Sequence, residues 1–387
     1  MKIALVTDTY FPRVNGVSAS TRLFAGELRR LGTEVFVYAP AYPGQEEEPG
    51  VVRFPSRYLW FDPEDRLARP GYPQGVRHFM EQGFDVVHTQ TPFSLGRAAL
   101  GWARRSGAVP IHTYHTLFVA YVEHYLKLVP RAVSIPLVRW ASRRYCDACR
   151  RVVVPSTAMR DELLSYGVRT PVEVIPTGIA LERFEGRDRW RVRREAGVPD
   201  TAPLLLFMGR VAEEKNVDFL VDVVEALKPR HPELRFWIAG EGAAKPRLQR
   251  LVSERGLSGT VRFLGYLARD DWRDCYAAAD VFVFASVTET QGLVVTEAMA
   301  AETPVVAVGA MGIRDVMGEG RGGIVTRLDR GEFGAAVERL LGDPGLHAAK
   351  RREALDEARR WSAGTMAERM LALYRDAVAE GRSRLAG

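Results

Sequence analysis

Two glutamates with seven residues between them, Glu289 and Glu297, lie in the stretch TETQGLVVTEAMAAETPVVA. Between them, Gln291-Gly292-Leu293 predicts the start of a helix, whose free backbone N–H groups can hold an anion such as a phosphate. Glu297 lies farther along this helix, where its carboxylate can accept hydrogen bonds from the two hydroxyls of a ribose. Taken alone, the pair is more typical of a solvated helix face, because the helix dipole favours an acid near the N-terminus.

Two cations, Arg210 and Lys215, occupy the segment GRVAEEKN between an apolar run and a helical stretch. Cations in a loop at a strand end, beside a helix N-terminus, suit a pyrophosphate, which Arg can bind through two hydrogen bonds. The alternative is a surface salt bridge with Glu213 or Glu214. We expect the two cations to bind a diphosphate.

Near the start of the chain, Asn15-Gly16-Val17 forms a loop after the apolar run KIALVTD. Gly16 has no side chain, so a phosphate can approach the backbone there. An Asn-Gly pair is by itself only a turn signal. Its place after the first predicted strand is what favours an anion contact.

A histidine, His115, follows another apolar run in the segment HTYHT. A lone histidine at a strand end is usually a packing residue, and together with His112 it offers a pair of metal ligands. The pair lacks a helical context, and its spacing points to no third ligand. We expect His115 to contact a substrate, with structural packing as the alternative.

Three other sequence patterns bear on cofactor and metal binding. The glycine-rich segments GEGAAK and AMGIRD are not a G-x-G-x-x-G fingerprint opening a helix after the first strand of a domain, which argues against a dinucleotide oxidoreductase. The sequence contains no Asp-x-Asp motif of the kind that binds a metal-bound nucleotide. Cys146 and Cys149 form one C-x-x-C, and we expect two ordinary helix residues.

The elements that position these residues repeat along the chain. A unit of strand, loop, helix and strand runs from KIALVTD to EVFVYAP and recurs from PLLLFMG to LRFWIAG. Further strands are predicted at DVVHTQ, VPIHTYH, RVVVPS, VEVIPT, VRFLGY, VFVFAS and PVVAVG. Strands that are apolar throughout, with helical stretches between them, imply parallel sheets covered on both faces. Each half is therefore predicted to be Rossmann-like, with ligands beyond the carboxyl ends of its strands.

A length of 387 residues suits two domains. We predict domains over residues 1–178 and 179–364, with a C-terminal helix, 365–387, that packs back on the first domain. No run approaches the roughly 20 apolar residues that span a bilayer, and the start, MKIALVTDTYF, lacks the pattern of a secretory signal. A soluble, cytoplasmic protein is the expectation.

The formal net charge of +6 is concentrated in one segment. From Phe118 to Arg151, seven basic residues stand against two acidic ones, which gives this segment a net charge of +5. Apolar residues are interleaved with the arginines at helical spacing, a pattern that suits an anionic membrane surface. A core-facing helix with a solvated basic back is an equal alternative.

The stretch from Glu289 to Glu297 closely resembles the Glu, seven residues, Glu motif of glycosyltransferase family four, and the resemblance extends over essentially the whole chain. It implies the GT-B fold, an α/β fold of two Rossmann-like, doubly wound parallel-sheet domains that face each other across a cleft. The first domain would bind the acceptor, and the second would bind a nucleotide-sugar donor.

The resemblance also implies roles for single residues. Glu289 would lie at the donor sugar with His115 close by, and Glu297 would bind the ribose. Arg210 and Lys215 would bind the diphosphate. Contacts to the sugar, phosphates or base, mostly through the backbone, are implied for Asn15, Gly16, Val17, Phe263, Leu264, Gln291, Gly292 and Leu293.

Members of this family retain the anomeric configuration, so the resemblance implies front-side displacement at the sugar carbon. Cationic side chains and helix dipoles would stabilise the leaving diphosphate in place of a metal. We therefore expect no metal, no other cofactor and no dedicated general base.

The acceptor is suggested by the stretch HTYHTLFVAYVEHYLKLVP, which resembles diacylglycerol glucosyltransferases and related glycolipid enzymes. The expectation is hexose transfer to a lipid hydroxyl, with UDP-glucose the favoured donor and GDP-mannose or UDP-galactose as alternatives, by an enzyme peripherally attached at the inner face of the cell membrane. The segment Arg57–Arg66, with an aromatic cluster in a loop, is a second candidate acceptor contact. A soluble sugar acceptor and a GT-B nucleotide-sugar epimerase remain alternatives. Nucleic-acid binding on an inactive scaffold is not expected, because the four charged donor-site residues are present together.

Overall fold

A computed structural model describes residues 1–59, 62–119, 130–267 and 271–386 of the chain. The chain divides into two compact units. The N-terminal unit comprises Met1–Gly178 with Ala363–Gly387, and the C-terminal unit comprises Ile179–Ser362. The last helix of the chain therefore belongs to the unit that contains the first strand.

The N-terminal unit is built on one parallel sheet. Its strands are β1 (Lys2–Val6), β2 (Glu34–Pro40), β3 (Val51–Phe54), β6 (Val86–Thr89), β7 (Val109–Thr113), β8 (Arg151–Val154) and β9 (Val172–Val174). They lie in the order β3-β2-β1-β6-β7-β8-β9, and every neighbouring pair is parallel. The chain proceeds outward from β1 on one side and from β6 on the other, so the strand order reverses between these two strands.

A hairpin follows β3. Strands β4 (Ser56–Leu59) and β5 (Asp62–Ala68) form a separate antiparallel pair in which Arg57 is opposite Leu67. The prediction of a loop at Arg57–Arg66 was therefore wrong, because most of this segment pairs as strands. Its two central aromatic residues, Trp60 and Phe61, lie outside the described residues.

Helices cover both faces of the N-terminal sheet. Besides the C-terminal helix (Ala363–Ala386), they are α1 (Gly16–Arg30), α2 (Pro73–Gln82), α3 (Ser94–Ser106), α4 (Arg131–Cys146) and α5 (Thr157–Ser165). The C-terminal helix buries Met366, Met370 and Tyr374, spaced four residues apart, in one core with Ile3 and Phe24. This spacing places the apolar side chains on one helix face, which explains why the helix packs against α1 and the sheet.

The C-terminal unit has the same architecture. Its strands are β10 (Leu204–Met208), β11 (Arg235–Ala239), β12 (Val261–Gly265), β13 (Val281–Phe284), β14 (Val305–Val308) and β15 (Gly323–Thr326). They lie parallel in the order β12-β11-β10-β13-β14-β15, so the order reverses between β10 and β13. Its helices are α6 (Arg189–Glu195), α7 (Val217–Leu227), α8 (Lys245–Glu254), α9 (Asp271–Ala278), α10 (Leu293–Ala300), α11 (Gly312–Met317), α12 (Arg330–Gly342) and α13 (Pro344–Arg360).

The two parallel sheets confirm the predicted α/β fold class. In β10 the residues Leu204, Leu205, Leu206 and Phe207 are all fully buried, as expected for a central strand with helices on both faces. Within the described ranges, no helix is both long enough and apolar enough to cross a membrane.

Candidate functional site

Two loops of the C-terminal unit meet where its strand order reverses. Since β10 and β13 are parallel neighbours, the loops that follow them leave the same edge of the sheet. The side chain of Asn216 donates a 2.9 Å hydrogen bond to the carbonyl oxygen of Ala285 and so ties the two loops together. Sheets of this type bind ligands at this edge.

Lys215 and Glu289 come together from these loops. The Lys215 ammonium group donates a hydrogen bond to the Glu289 carboxylate, and each side chain is only 17% exposed. Partial burial shields such a pair from the screening that weakens surface ion pairs. Two residues predicted from separate motifs therefore occupy one site.

Arg210 lies at the same edge and bonds to an acid of its own loop. Its Nη2 donates a 2.6 Å hydrogen bond to Glu214, and the arginine side chain is 54% exposed. The salt bridge to Glu214 left open by the sequence is therefore present. An ion pair this exposed contributes about 0–1 kcal/mol, so an anionic ligand can replace the glutamate at little cost.

The helix that follows the β13 loop begins without a side-chain cap. Gly292, at the N-cap of α10, has φ +86°, and a Cβ there would lie 2.3 Å from Cδ1 of Ile313. Both the positive φ and the close approach of Ile313 favour glycine at this position. Because no side chain caps α10, the amides of Leu293 and Val294 at its first turn are placed to bind an anion. Gln291, which precedes this glycine, is buried.

Glu297 faces the helix α9 from its position on α10. Its Oε2 accepts a 2.8 Å hydrogen bond from the hydroxyl of Tyr276, which is fully buried. Burial raises the pKa of Glu297 to about 7, while the Tyr276 hydroxyl and the nearby Arg183 act in the opposite direction. The Glu297 carboxylate therefore titrates near neutral pH.

Phe263 and Leu264 lie on β12, the edge strand, and both are half-buried. This strand is separated from β10 by β11 alone. Beside it, Glu241 forms a 2.6 Å ion pair with Lys245, and a Cβ on Gly265 would lie 3.0 Å from the Glu241 carboxylate. These residues follow β11 or belong to β12, on the side of β10 opposite to β13.

In the N-terminal unit, Asn15 is the N-cap of α1. Its side chain accepts a 2.9 Å hydrogen bond from the Ser18 amide, and the Ser18 hydroxyl accepts one from the Asn15 amide. This capping box engages Ser18 rather than the amides of Gly16 and Val17. A Cβ built on Gly16 would meet no atom within 4 Å, so the protein itself does not require glycine there.

His115 follows β7 and is half-buried. Its Nε2 hydrogen-bonds to Oε1 of Gln90, 2.9 Å away, which follows the neighbouring strand β6. Burial lowers the pKa of His115 to about 4, so the imidazole is neutral at pH 7. Sequence reasoning missed Gln90, although its position at the end of the adjacent strand was visible.

His112 is held inside the core of the N-terminal unit. Its ring is fully buried, packs 4.7 Å from the Tyr145 ring and hydrogen-bonds through Nδ1 to Thr89. Where side chains are described, no three His, Cys, Asp or Glu residues cluster as metal ligands. Cys146 and Cys149 are free and buried, and burial raises the pKa of Cys146 to about 12, which leaves the thiol unreactive.

A further acid at the N-terminal edge, Asp8, was missed from the sequence. It follows β1, and its carboxylate accepts 2.7 Å hydrogen bonds from the hydroxyls of Thr91 and Ser94 and from the amide of Leu95. A carboxylate therefore already occupies the N-terminus of α3. Its partners lie more than 80 residues away in sequence, so no local pattern indicates this role.

Helix α4 exposes apolar side chains to solvent. Val133, Leu137 and Trp140 are 60%, 59% and 56% exposed, and their spacing places them on one face of the helix. The guanidinium of Arg144 lies 5.5 Å from the Trp140 ring, and the exposed Arg139 lies 5.3 Å from the Tyr166 ring. The described part of the segment therefore carries an apolar ridge with basic neighbours.

The basic segment is less extensive than its charge suggests. Arg150 and Arg151 are largely buried and form ion pairs with Glu380 of the C-terminal helix. They are not available to a membrane, which corrects the expectation for the whole segment. Residues 120–129, which include Glu123 and Lys127, lie outside the described residues.

The fold and the site define a class of protein. The chain superimposes on sucrose-phosphate synthase from Thermosynechococcus elongatus with a TM-score of 0.78, at 23% identity over 98% of this chain and 99% of that one. It superimposes on Anabaena HepE in complex with UDP with a TM-score of 0.78, at 18% identity over 97% and 100% of the two chains. At these identities the likeness shows the fold alone, which is the GT-B fold.

Sequence relationships identify the family. Residues 14–183 match the model described as Glycosyltransferase Family 4, and residues 188–361 match Glycosyl transferases group 1. The alpha-monoglucosyldiacylglycerol synthase of Streptococcus pneumoniae (strain ATCC BAA-255 / R6) is 31% identical over 98% of this chain and 86% of its own length. A GDP-mannose-dependent alpha-mannosyltransferase of Mycobacterium tuberculosis (strain CDC 1551 / Oshkosh) is 32% identical, over 91% and 89%. The chain belongs to glycosyltransferase family 4, which confirms the predicted family and fold and makes it a glycosyltransferase.

Proposed function

We propose that the chain transfers a hexose from a nucleotide-sugar to a hydroxyl of a lipid acceptor such as diacylglycerol. UDP-glucose is the favoured donor, with UDP-galactose or GDP-mannose as alternatives. The name of the S. pneumoniae relative supports glucose and diacylglycerol, and the name of the M. tuberculosis relative supports a GDP-mannose donor.

The observation that carries this proposal is the cluster at the carboxyl edge of β10 and β13. Arg210 and Lys215 supply two positive charges, and the first turn of α10 supplies backbone amides. A diphosphate requires such partners, and Glu289 beside Lys215 can accept hydrogen bonds from sugar hydroxyls. Glu297, on the same helix, is our candidate for the ribose.

In the reaction, the acceptor oxygen forms a bond to the anomeric carbon on the face from which the diphosphate leaves. The bond from that carbon to the diphosphate oxygen breaks, and the acceptor proton passes to the departing phosphate oxygen. The configuration is therefore retained and no side chain acts as general base. Arg210, Lys215 and the α10 amides stabilise the charge that develops on the diphosphate, in place of a metal ion.

Two features of the N-terminal unit suit contacts to a nucleotide-sugar. The amides of Gly16 and Val17 at the start of α1 suit an anion, whereas the start of α3 is already occupied by Asp8. His115, held by Gln90, is neutral at pH 7 and suits a hydrogen bond to a sugar hydroxyl rather than proton donation.

Membrane attachment is proposed through α4, on the cytoplasmic side of an anionic membrane. The exposed ridge of Val133, Leu137 and Trp140 can enter the interfacial region, while Arg139 and Arg144 attract anionic headgroups. This arrangement would bring the N-terminal unit to a surface where a lipid acceptor resides.

The donor site is tested by Lys215→Ala. We expect this variant to lose turnover by roughly 10²–10³-fold, because one cation that stabilises the transition state is removed. Lys228→Ala is the matched control, since Lys228 lies at the opposite end of α7, where its ammonium group donates a 3.4 Å hydrogen bond to the Gly256 carbonyl.

A thermal-shift panel of UDP-glucose, UDP-galactose and GDP-mannose identifies the donor. A donor at 100 times its dissociation constant should stabilise the wild type and Lys228→Ala by about 2.7 kcal/mol. The shift should shrink in Lys215→Ala. If no nucleotide-sugar stabilises the wild type, or if both variants respond and turn over alike, the proposed donor site is wrong.

A further inference from the structure

Tyr276 is a buried tyrosine whose hydroxyl donates a hydrogen bond to the Glu297 carboxylate. Its ring packs edge-on against Trp272 and at a tilt against Phe282, with centroids 6.0 and 5.5 Å away. Its backbone carbonyl accepts a 2.6 Å hydrogen bond from Thr303. The ring is held by these contacts, and the hydroxyl points to Oε2 of Glu297, 2.8 Å away.

The packing of Tyr276 would be served as well by phenylalanine. Adding a hydroxyl to a buried ring is unfavourable unless the hydroxyl finds a partner, and the partner here is a carboxylate. A hydrogen bond to one carboxylate oxygen selects one orientation of the Glu297 side chain. The other oxygen and the remaining lone pairs stay able to accept hydrogen bonds from two further hydroxyls.

We propose that Tyr276 is a positioning residue for the nucleotide, and that its hydroxyl holds the Glu297 carboxylate in the orientation that accepts the two ribose hydroxyls. The inference rests on the proposed donor site and on Glu297 as its ribose partner. Tyr276 itself touches only Glu297 and the core, so it acts through the carboxylate.

The hydrogen bond from Tyr276 also affects the pKa of Glu297. The groups that face this carboxylate are the Tyr276 hydroxyl from α9 and Arg183 from the short 3₁₀ helix Leu181–Phe184, whose guanidinium lies 4.9 Å from the Trp272 ring. Both lower the pKa of Glu297, against the larger effect of burial. Burial raises the pKa of Tyr276 well above its usual value, so its hydroxyl remains a donor. Removal of this hydroxyl should raise the pKa of Glu297 further.

The test is Tyr276→Phe, which keeps the ring and removes the donor. The dissociation constants of UDP and GDP, and of their 2′,3′-dideoxy forms, are measured between pH 5.5 and 9. We expect the wild type to prefer the ribonucleotide, and Tyr276→Phe to lose about tenfold in affinity for the ribonucleotide alone. The pH below which the ribonucleotide binds weakly should move upward, because the carboxylate must be ionised to accept both hydroxyls.

Tyr374→Phe is the matched control. Tyr374 is also fully buried and also donates or accepts one hydrogen bond, to His88 at 2.5 Å, but it lies in the N-terminal unit. Its variant should keep the wild-type ribose preference and pH profile. A general effect of losing a buried hydroxyl would instead appear in both variants.

A second variant keeps the inference testable if Tyr276→Phe folds poorly. Glu297→Gln should weaken ribonucleotide binding and remove the part of its pH dependence that the dideoxynucleotide does not share, since the terminal phosphate of both ligands titrates near about pH 6. Adding Tyr276→Phe to it should cause no further loss of ribose preference. Equal loss for ribonucleotide and dideoxynucleotide, or an unchanged pH profile in Tyr276→Phe, would overturn the inference. Equal binding of both forms by the wild type overturns it while leaving the cation site intact, and absence of any nucleotide binding overturns the proposed function as well.

Discussion

Glu297 illustrates at the residue scale how a group proposed to bind substrate can reduce the stability of its own fold. The carboxyl is half-buried, and its pKa of about 7 lies above the usual value of 4.5. A carboxyl whose pKa is raised in the folded state binds more protons there than in the unfolded chain. The free energy of unfolding therefore falls as the pH rises from about 4.5 to about 7, and the charge remains unfavourable above that range.

This argument predicts that Glu297→Gln stabilises the protein at pH 8. The amide has a similar shape and carries no charge, so the variant should gain on the order of 1–3 kcal/mol at pH 8 and much less at pH 5. Thermal denaturation at the two pH values measures the difference, with Glu254→Gln, an exposed residue at the end of α8, as control. A gain that is the same at both pH values would show that Glu297 carries no raised pKa.

Some of the candidate site residues can be recognised from sequence because each stands in the loop that follows an apolar run. Arg210 and Glu289 follow β10 and β13, and His115 follows β7, so the carboxyl edge of a parallel sheet is indicated by local pattern. Asp8 follows β1 in the same way, but that position does not indicate its contact with α3, and Tyr276, inside α9, gives no such signal. Their partners are brought near by packing of helices and loops, which a linear pattern does not contain.

At the scale of elements, α4 is unusual because its apolar ridge faces solvent. Sequence periodicity alone allowed either a core-facing or a membrane-facing helix. The structure shows that Val133, Leu137 and Trp140 are exposed, which favours the second interpretation. The positive charge of Arg143 is partly offset by Asp147, with which it forms an ion pair at 3.5 Å.

We predict that Arg139→Glu with Arg144→Glu weakens binding to anionic vesicles at low salt. Each basic residue near such a surface contributes about 1 kcal/mol, so reversal of two charges should weaken binding at least about tenfold. Leu137→Ser with Trp140→Ser should weaken it through loss of apolar contact. Co-sedimentation with phosphatidylglycerol vesicles measures both, and donor affinity should not change.

The control is Arg104→Glu with Arg105→Glu, which makes the same change of charge at the exposed end of α3 in the same unit. These residues have no apolar ridge beside them, so vesicle binding should persist. If the wild type stays in the supernatant, or if the α3 and α4 variants bind alike, α4 is a solvated helix face.

The predictable elements were those with strong apolar character. Strand β1 and strand β10 are interior strands of their sheets and are apolar enough to be recognised. Strand β3 is short, half-exposed and contains Arg53, and β15 consists of the four residues Gly323–Thr326, so neither stands out from a loop. The hairpin β4–β5 carries several charges and has no apolar alternation that would indicate a strand.

At the scale of the whole molecule, two similar units have different side chains at corresponding places. Each has a parallel sheet whose order reverses once, between β1 and β6 or between β10 and β13. In the N-terminal unit an acid, Asp8, caps the helix at this point, whereas in the C-terminal unit Lys215 and an uncapped helix are found. This difference supports donor diphosphate binding by the C-terminal unit.

The most direct test of the proposed transfer is product analysis by NMR. The protein is incubated with UDP-glucose, and in parallel with UDP-galactose or GDP-mannose, in vesicles of diacylglycerol and phosphatidylglycerol containing EDTA. We predict one glycolipid molecule for each nucleoside diphosphate released, with the small anomeric proton coupling of an α-linkage for glucose, at an undiminished rate in EDTA. A β-linked product, a requirement for divalent metal, conversion of the donor to another nucleotide-sugar without acceptor, or no consumption of any donor would contradict the account.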